Sequence, residues 1–180
     1  MSDGFLIVNK ASGPTSHDVV AMARKKLGTK KVGHAGTLDP MATGVLVLGV
    51  GIGTKLLNFI VEGRKGYEAT IRLGASTSTD DKEGKVTETF STSDLDDKRI
   101  KEELSKFKGK ISQVPSSVSA IKIQGKAAHE RVRDGEEVVI PAREVEIFDL
   151  QVKDIKRSDS VIDIEISVAC SAGTYIRSIA

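Results

Sequence analysis

The stretch VIDIEISVA, residues 161–169, sets Ile162, Ile164, Ile166 and Val168 in alternation with Asp163, Glu165 and Ser167. Successive side chains of a strand point to opposite faces, so the pattern predicts a half-buried β-strand whose second face is solvated or covered by a helix. Working outward, further strands are expected at 5–8, at Gly44–Val50, in YEATIRLG up to Gly74, and near 118–123 and 143–153. Helices are fewer. Thr15 or Ser16 caps one, with Asp18 in its first turn, Val19, Val20, Ala23 and Leu27 on its apolar face, and Gly28 closing it. Thr54 opens a short one that carries Leu56, Leu57 and Ile60 and stops at Gly63. SDLDDKRIKEELSKFKG, residues 93–109, brings Ile100, Leu104 and Phe107 to helical spacing, with Asp97–Lys101 and Glu102–Lys106 as supporting pairs. Residues 75–92 are polar and rich in Ser and Thr, as in a surface loop or irregular hairpin. Strands outnumber helices and do not alternate regularly with them. The expected class is therefore α+β, with a mixed, mainly antiparallel sheet flanked by helices, and not a Rossmann-type fold.

A chain of 180 residues is long enough for one domain with its own core. At 39% hydrophobic and 29% charged it has the composition of an ordinary soluble protein. No apolar run approaches the roughly 20 residues of a membrane span. Residues 1–9 lack the basic start and long apolar stretch of a secretory signal. Cys170 stands alone, which excludes an internal disulfide framework and argues against a structural zinc site. A reducing, cytoplasmic setting is expected. The net charge of +2 announces no nucleic-acid binder. Yet Arg24, Lys25, Lys26, Lys30 and Lys31 crowd together, far from Asp80, Asp81, Asp94, Asp96 and Asp97. That cluster suits a solvated helix C-terminus as well as it suits phosphate contacts. With Phe 5, Tyr 2 and Trp 0, an extended base-stacking platform is not expected.

Chemistry concentrates in GHAGTLDPMATGVL, residues 33–46, where Asp39 is the one acid. The glycines lack Walker spacing and no Lys-Ser/Thr pair follows. His34 and Asp39 are too few to hold a metal. No G-x-S-x-G occurs in the chain, and no second acid sits in a comparable loop to make a glycosidase pair. A lone carboxylate is left, as nucleophile or base. In a closed site it needs a counter-charge, and Arg177 in SAGTYIRS, after another turn of small residues, is the candidate. Plainer roles remain open for both: Asp before Pro commonly starts a turn, and an arginine in a first helical turn is commonly exposed.

GHAGTLDPMATGVL resembles the catalytic motif of the TruB family of tRNA pseudouridine synthases. NKASGPTSHDVV, residues 9–20, resembles the family's first motif, with Ala11 where a proline is usual. KGYEATIRLG resembles the tyrosine motif, and QVPSSVSAIKIQGKAAHERVRDG (113–135) and CSAGTYIRSIA (170–180) resemble later blocks. The resemblance implies a pseudouridine synthase fold that isomerises uridine-55 of the tRNA T loop, with no cofactor and no metal. Asp39 would be the catalytic carboxylate, adding to C6, attacking C1′ or taking a proton from C2′ of a flipped-out uridine. Tyr67 would offer the base a ring face and could assist proton transfer, and Arg177 would pair with Asp39. His34 would enter the T loop, and Lys10, Lys30 and Lys31 are grouped with it as RNA-binding residues, Lys10 as a support near the site. Cys170 is expected to be a buried structural thiol. The partner implied is the tRNA T-stem–loop, with no membrane, no obligate protein partner and a monomeric state. A non-catalytic tRNA-binding module on the same scaffold is the alternative. Family members continue past residue 180, so the chain is expected to be an incomplete catalytic domain, cut just after Thr174 caps a helix with Ile176 and Ile179 towards the core. An isolated 1–180 chain is expected to be less stable for that reason.

Overall fold

The computed structural model describes residues 3–116, 122–123, 125–128, 131, 134 and 139–179. Of the strand expected near 118–123, residues 118–121 lie outside the described residues. The chain forms two compact units, Met1–Gly63 and Arg64–Ala180.

The first unit is a three-stranded antiparallel sheet with one helix on its apolar face. β1 (Gly4–Lys10), α1 (Ser16–Leu27), β2 (Val32–His34) and β3 (Gly44–Val50) give the sheet order β1-β3-β2. Leu6 pairs with Leu48 and Val8 with Leu46, which puts alternate residues of both strands on one side. There Val19 and Val20 of α1 pack with Val32, Leu46 and Leu48. The helix starts where the sequence places it. Thr15 accepts from the Asp18 amide and Asp18 returns a bond to the Thr15 amide, a capping box. It ends at Gly28, whose φ of 62° is left-handed and suits glycine. After β3, a 3₁₀ turn (Gly51–Leu56) runs into α2 (Leu57–Val61). The turn crosses so close to β1 that a Cβ on Gly53 would lie 2.1 Å from the Gly4 carbonyl oxygen.

The second unit is built around the strand Ile162–Cys170. β4 (Lys65–Leu73), β7 (Gly109–Gln113), β10 (Arg143–Arg157) and β11 (Ile162–Cys170) form a sheet in the order β4-β11-β10-β7, every pair antiparallel. β11 is interior, and Ile162, Ile164, Ile166, Val168 and Cys170 are almost completely buried. Ile100 and Leu104 of α3 (Asp97–Ser105) pack on that face. The other face is solvated: Arg72 grips Asp163 with bonds of 2.7 and 2.6 Å, and Lys156 pairs with Glu165. Such exposed pairs contribute roughly 0–1 kcal/mol each, so the strand is held by its apolar side. Burial also pushes the Cys170 thiol above its ordinary range, opposed by the Thr174 hydroxyl and the charge of Lys65.

Residues 75–92 form a hairpin, β5 (Ala75–Thr77) with β6 (Val86–Thr89). Two further short strands, β8 (Lys122–Ile123) and β9 (Lys126–Ala127), pair with each other. Several expectations shift. Helix α3 ends at Ser105, yet Phe107 still packs on the core. Its side-chain pairs are Lys98–Glu102 (3.8 Å) and Lys106–Glu103 (2.6 Å), because Asp97 instead reaches Arg157 on β10. Thr174 is not an N-cap: its hydroxyl donates to the Ser171 carbonyl (2.9 Å), and the following helix is a single 3₁₀ turn, Ile176–Ile179. Ile176 and Ile179 do face the core. Among the described residues no helix is long and apolar enough to cross a membrane.

Candidate active site

Asp39 lies in the connection from β2 to β3, and both of its neighbours are pinned. On one side the buried Ser16 hydroxyl accepts from the Leu38 amide (2.9 Å) and donates to the Leu38 carbonyl (3.2 Å). On the other side the Pro40 carbonyl accepts from the Lys10 ammonium (3.0 Å) and from the Gly13 amide (2.8 Å). The Ala42 amide closes a turn onto the Asp39 carbonyl at 3.0 Å. The sequence folds this way because β1 ends at Lys10, opposite Gly44 where β3 begins, and α1 starts at Ser16 soon after, so both anchors stand beside the β2–β3 connection.

Lys10 is 1% exposed and donates to the carbonyls of Ala11 (2.9 Å), Pro14 (2.8 Å) and Pro40 (3.0 Å). An ammonium has three donors, so all are in use. In this structure Lys10 welds the first motif to the Asp39 loop, as a support near the site. Lys30 and Lys31 are exposed at the end of α1, beside Lys25 and Lys26. Arg24 ties the same corner together through a 2.8 Å bond to the Val32 carbonyl.

His34 is the last residue of β2, opposite Leu48. Its Nδ1 is sealed from solvent without a hydrogen-bond partner among the described residues. The His17 ring meets it edge-on at 5.1 Å and 84°. Burial, and then the charge of His17, push His34 below its ordinary pKa, while the Gly36 backbone opposes. The first two effects favour the neutral imidazole.

Ser16→Ala tests the pinning. It removes the hydroxyl that partners both the Leu38 amide and the Leu38 carbonyl inside a buried site, where an unsatisfied group costs about 1–3 kcal/mol. A lowered unfolding midpoint is expected in denaturant titration. A variant as stable as the parent would show that the Ser16 bonds do not hold the loop.

In the second unit Tyr67 sits on β4, paired with Val168 of β11, half-buried against the core cluster. Arg177 is in the 3₁₀ turn at the end of the described chain. Its Nη1 donates to the Thr79 carbonyl and to Asp81 Oδ2, both at 3.1 Å. The two side chains are 14% and 7% exposed, so this is a nearly buried ion pair. Asp81 is itself held: its Oδ1 accepts from the Thr79 hydroxyl (2.5 Å) and the Glu83 amide (3.0 Å), and its carbonyl accepts from the Thr77 hydroxyl (2.7 Å). Sequence reasoning missed Asp81, which it left among acids remote from Asp39. The turn explains the choice between neighbours. Asp80 takes a left-handed φ of 56° and stays exposed, and the next carboxylate swings inward.

Residues 24–176 match the family described as TruB family pseudouridylate synthase (N terminal domain). The chain is 54% identical over 179 residues to the tRNA pseudouridine synthase B of Corynebacterium efficiens, covering 99% of this chain and 60% of that protein. To the protein of that name from Corynebacterium glutamicum strain R it is 55% identical over 177 residues, covering 98% and 60%. The chain thus spans about 60% of the length of the curated relatives it matches. Among solved structures it resembles one chain of a Cbf5–Nop10–Gar1 complex, with a TM-score of 0.68 and 27% identity over 98% of this chain and 42% of that one. A chain of an H/ACA ribonucleoprotein bound to a substrate RNA containing 2′-deoxyuridine gives 0.66 and 26%, covering 98% and 40%. The clamped Asp39 loop, the α+β architecture and these matches agree, and the chain belongs to the TruB family of pseudouridylate synthases, in its N-terminal domain.

Proposed function

We propose that the protein isomerises uridine-55 in the T loop of tRNA to pseudouridine, with Asp39 as the catalytic carboxylate. The observation that carries this is the immobilised Asp39 loop, set within the family's motif: a reacting carboxylate gains most when its position is fixed in advance. The reaction breaks the bond from C1′ to N1, turns the base, and forms a bond from C1′ to C5. The C5 hydrogen leaves as a proton and N1 ends protonated. No water is activated and the net composition of the RNA is unchanged, so one carboxylate suffices and a second acid has no task. Addition to C6, attack at C1′ and proton removal from C2′ all begin from an ionised Asp39.

Arg177 supplies the counter-charge. A guanidinium keeps its charge and carries five N–H donors in a planar fork, which suits it to answer a carboxylate. Tyr67 holds the flipped uridine by its ring face. His34, kept neutral, fills the space the base leaves. Lys30 and Lys31 contact backbone phosphates, which fix register without reading sequence. The protein acts in the cytoplasm, as a monomer without an obligate protein partner.

Chelation should leave turnover unchanged, since no step needs a Lewis acid. T-arm RNA treated with the full-length protein in EDTA is expected to carry pseudouridine at position 55, mapped by carbodiimide modification and primer extension. Activity lost on chelation and restored by one specific divalent ion would oppose the mechanism. Tight RNA binding with no conversion would favour a non-catalytic tRNA-binding module instead.

A further inference from the structure

The turn that carries Arg177 is too short to hold itself. Ile176–Ile179 is a single 3₁₀ turn of four residues, and an isolated turn of that length has no stability of its own. Besides the packing of Ile176 and Ile179 on the core and the Arg177–Asp81 pair, it is held by Gln113, the last residue of β7, which is 4% exposed. Its side-chain Oε1 accepts from the Tyr175 amide at 2.8 Å, and its Nε2 donates to the Tyr175 carbonyl at 2.9 Å. Since Tyr175 offers one donor and one acceptor, the amide has only one orientation that satisfies both. The same Tyr175 carbonyl accepts from the Ser178 amide (3.2 Å), the bond that closes the turn. Gln113 itself is fixed by its place opposite Arg143 in the sheet, and the Arg143 guanidinium lies 5.7 Å from the centre of the Tyr175 ring. From Tyr175 the chain runs two residues to Arg177.

We propose that Gln113 is a positioning residue for Arg177: its amide extends the sheet's hydrogen-bonding onto Tyr175 and so sets the turn from which the guanidinium reaches Asp81. The proposal rests on the function proposed above for Arg177. Gln113 touches neither RNA nor the reacting atoms, so its loss should appear in turnover and not in RNA affinity.

The test uses Gln113→Leu and Gln113→Glu in the full-length protein with a T-arm RNA. Gln113→Leu removes donor and acceptor together. Turnover should fall by up to about 10²-fold, as for a misplacement of about 1 Å at a reacting group, with the dissociation constant for RNA essentially unchanged. Gln113→Glu is read against pH. An ionised carboxylate can accept from the Tyr175 amide but faces the Tyr175 carbonyl with no proton to give. A neutral carboxyl has the donor and acceptor of the amide. Turnover of Gln113→Glu relative to the parent should therefore recover as pH falls, although Arg143 nearby moves that recovery to lower pH, and Gln113→Leu should show no recovery. Hydrogen exchange at the Tyr175 and Ser178 amides should speed up in Gln113→Leu and return towards the parent in acidified Gln113→Glu. Parental turnover in Gln113→Leu, or a loss confined to RNA affinity, would overturn the proposal. If Gln113→Leu does not fold, a Gln113→Glu variant whose deficit ignores pH would overturn it equally. Should the parent make no pseudouridine at all, the function proposed for Arg177 fails, and unchanged exchange at Tyr175 and Ser178 would still refute the clamp by itself.

Discussion

Asp39→Asn is expected to lower pseudouridine formation by on the order of 10⁴-fold or more while leaving tRNA affinity near that of the parent. Losing the one reacting group of a covalent or proton-transfer step has effects of that size, because nothing else in the site can take its place. The change is nearly isosteric. The Leu38 and Pro40 backbone clamps do not involve the Asp39 side chain, so the loop should keep its place. It also removes a negative charge from a surface proposed to meet phosphates, so binding should hold or tighten. Single-turnover kinetics and filter binding on one T-arm RNA separate the two quantities. A variant within tenfold of the parent in turnover would remove Asp39 from the chemistry.

The second large effect is expected at Asp81. Its carboxylate answers Arg177 in a nearly buried pair, and removing one partner strands the other charge away from water. Breaking such a pair typically costs about 3–5 kcal/mol. Asp81→Ala should accordingly lower the unfolding midpoint by roughly 6–20 °C, at about 2–4 °C per kcal/mol for a chain of this size. Asp81→Asn keeps the shape and an acceptor for Arg177 but not the charge. It should unfold closer to the parent and still turn over slowly, because the guanidinium is no longer held by a full charge. Calorimetry with turnover measured on the same preparations checks both. Parental stability and turnover in Asp81→Asn would show that the pair neither holds the turn nor serves the site.

The contrast between Asp39 and Asp81 shows what a sequence carries. Asp39 stood out as a candidate because its loop is a long, specific motif, and β11 was legible because alternation at Ile162, Ile164, Ile166 and Val168 is imposed by one buried face. Thr15 and Gly28 mark the ends of α1 because capping is local chemistry. Elements set by distant partners left no such mark. β2 is three residues long and exists by pairing with β3, and β7, GKISQ, has too few apolar residues to declare a period. Asp80 and Asp81 are indistinguishable in a row of polar residues, and only the left-handed turn at Asp80 decides which one is buried. Lys10 was legible as a cation near the site, but not as one whose charge is absorbed by three carbonyls, two of them within four residues and the third thirty residues on. Gln113 stood in a recognised block with no role attached, since its partner, Tyr175, lies far along the chain.

The fate of the C5 hydrogen reports on whether Asp39 isomerises the uridine. A T-arm RNA carrying tritium at C5 of uridine is incubated, in EDTA and with protein in excess, with the full-length protein or its Asp39→Asn variant. Isomerisation at position 55 must expel that hydrogen to solvent, whichever of the three routes Asp39 takes. The expected result is release from position 55 alone, approaching one tritium per RNA with the parent and none above background with Asp39→Asn, both proteins binding the RNA alike. Equal release by the two proteins, or none from a parent that binds the RNA, would contradict it.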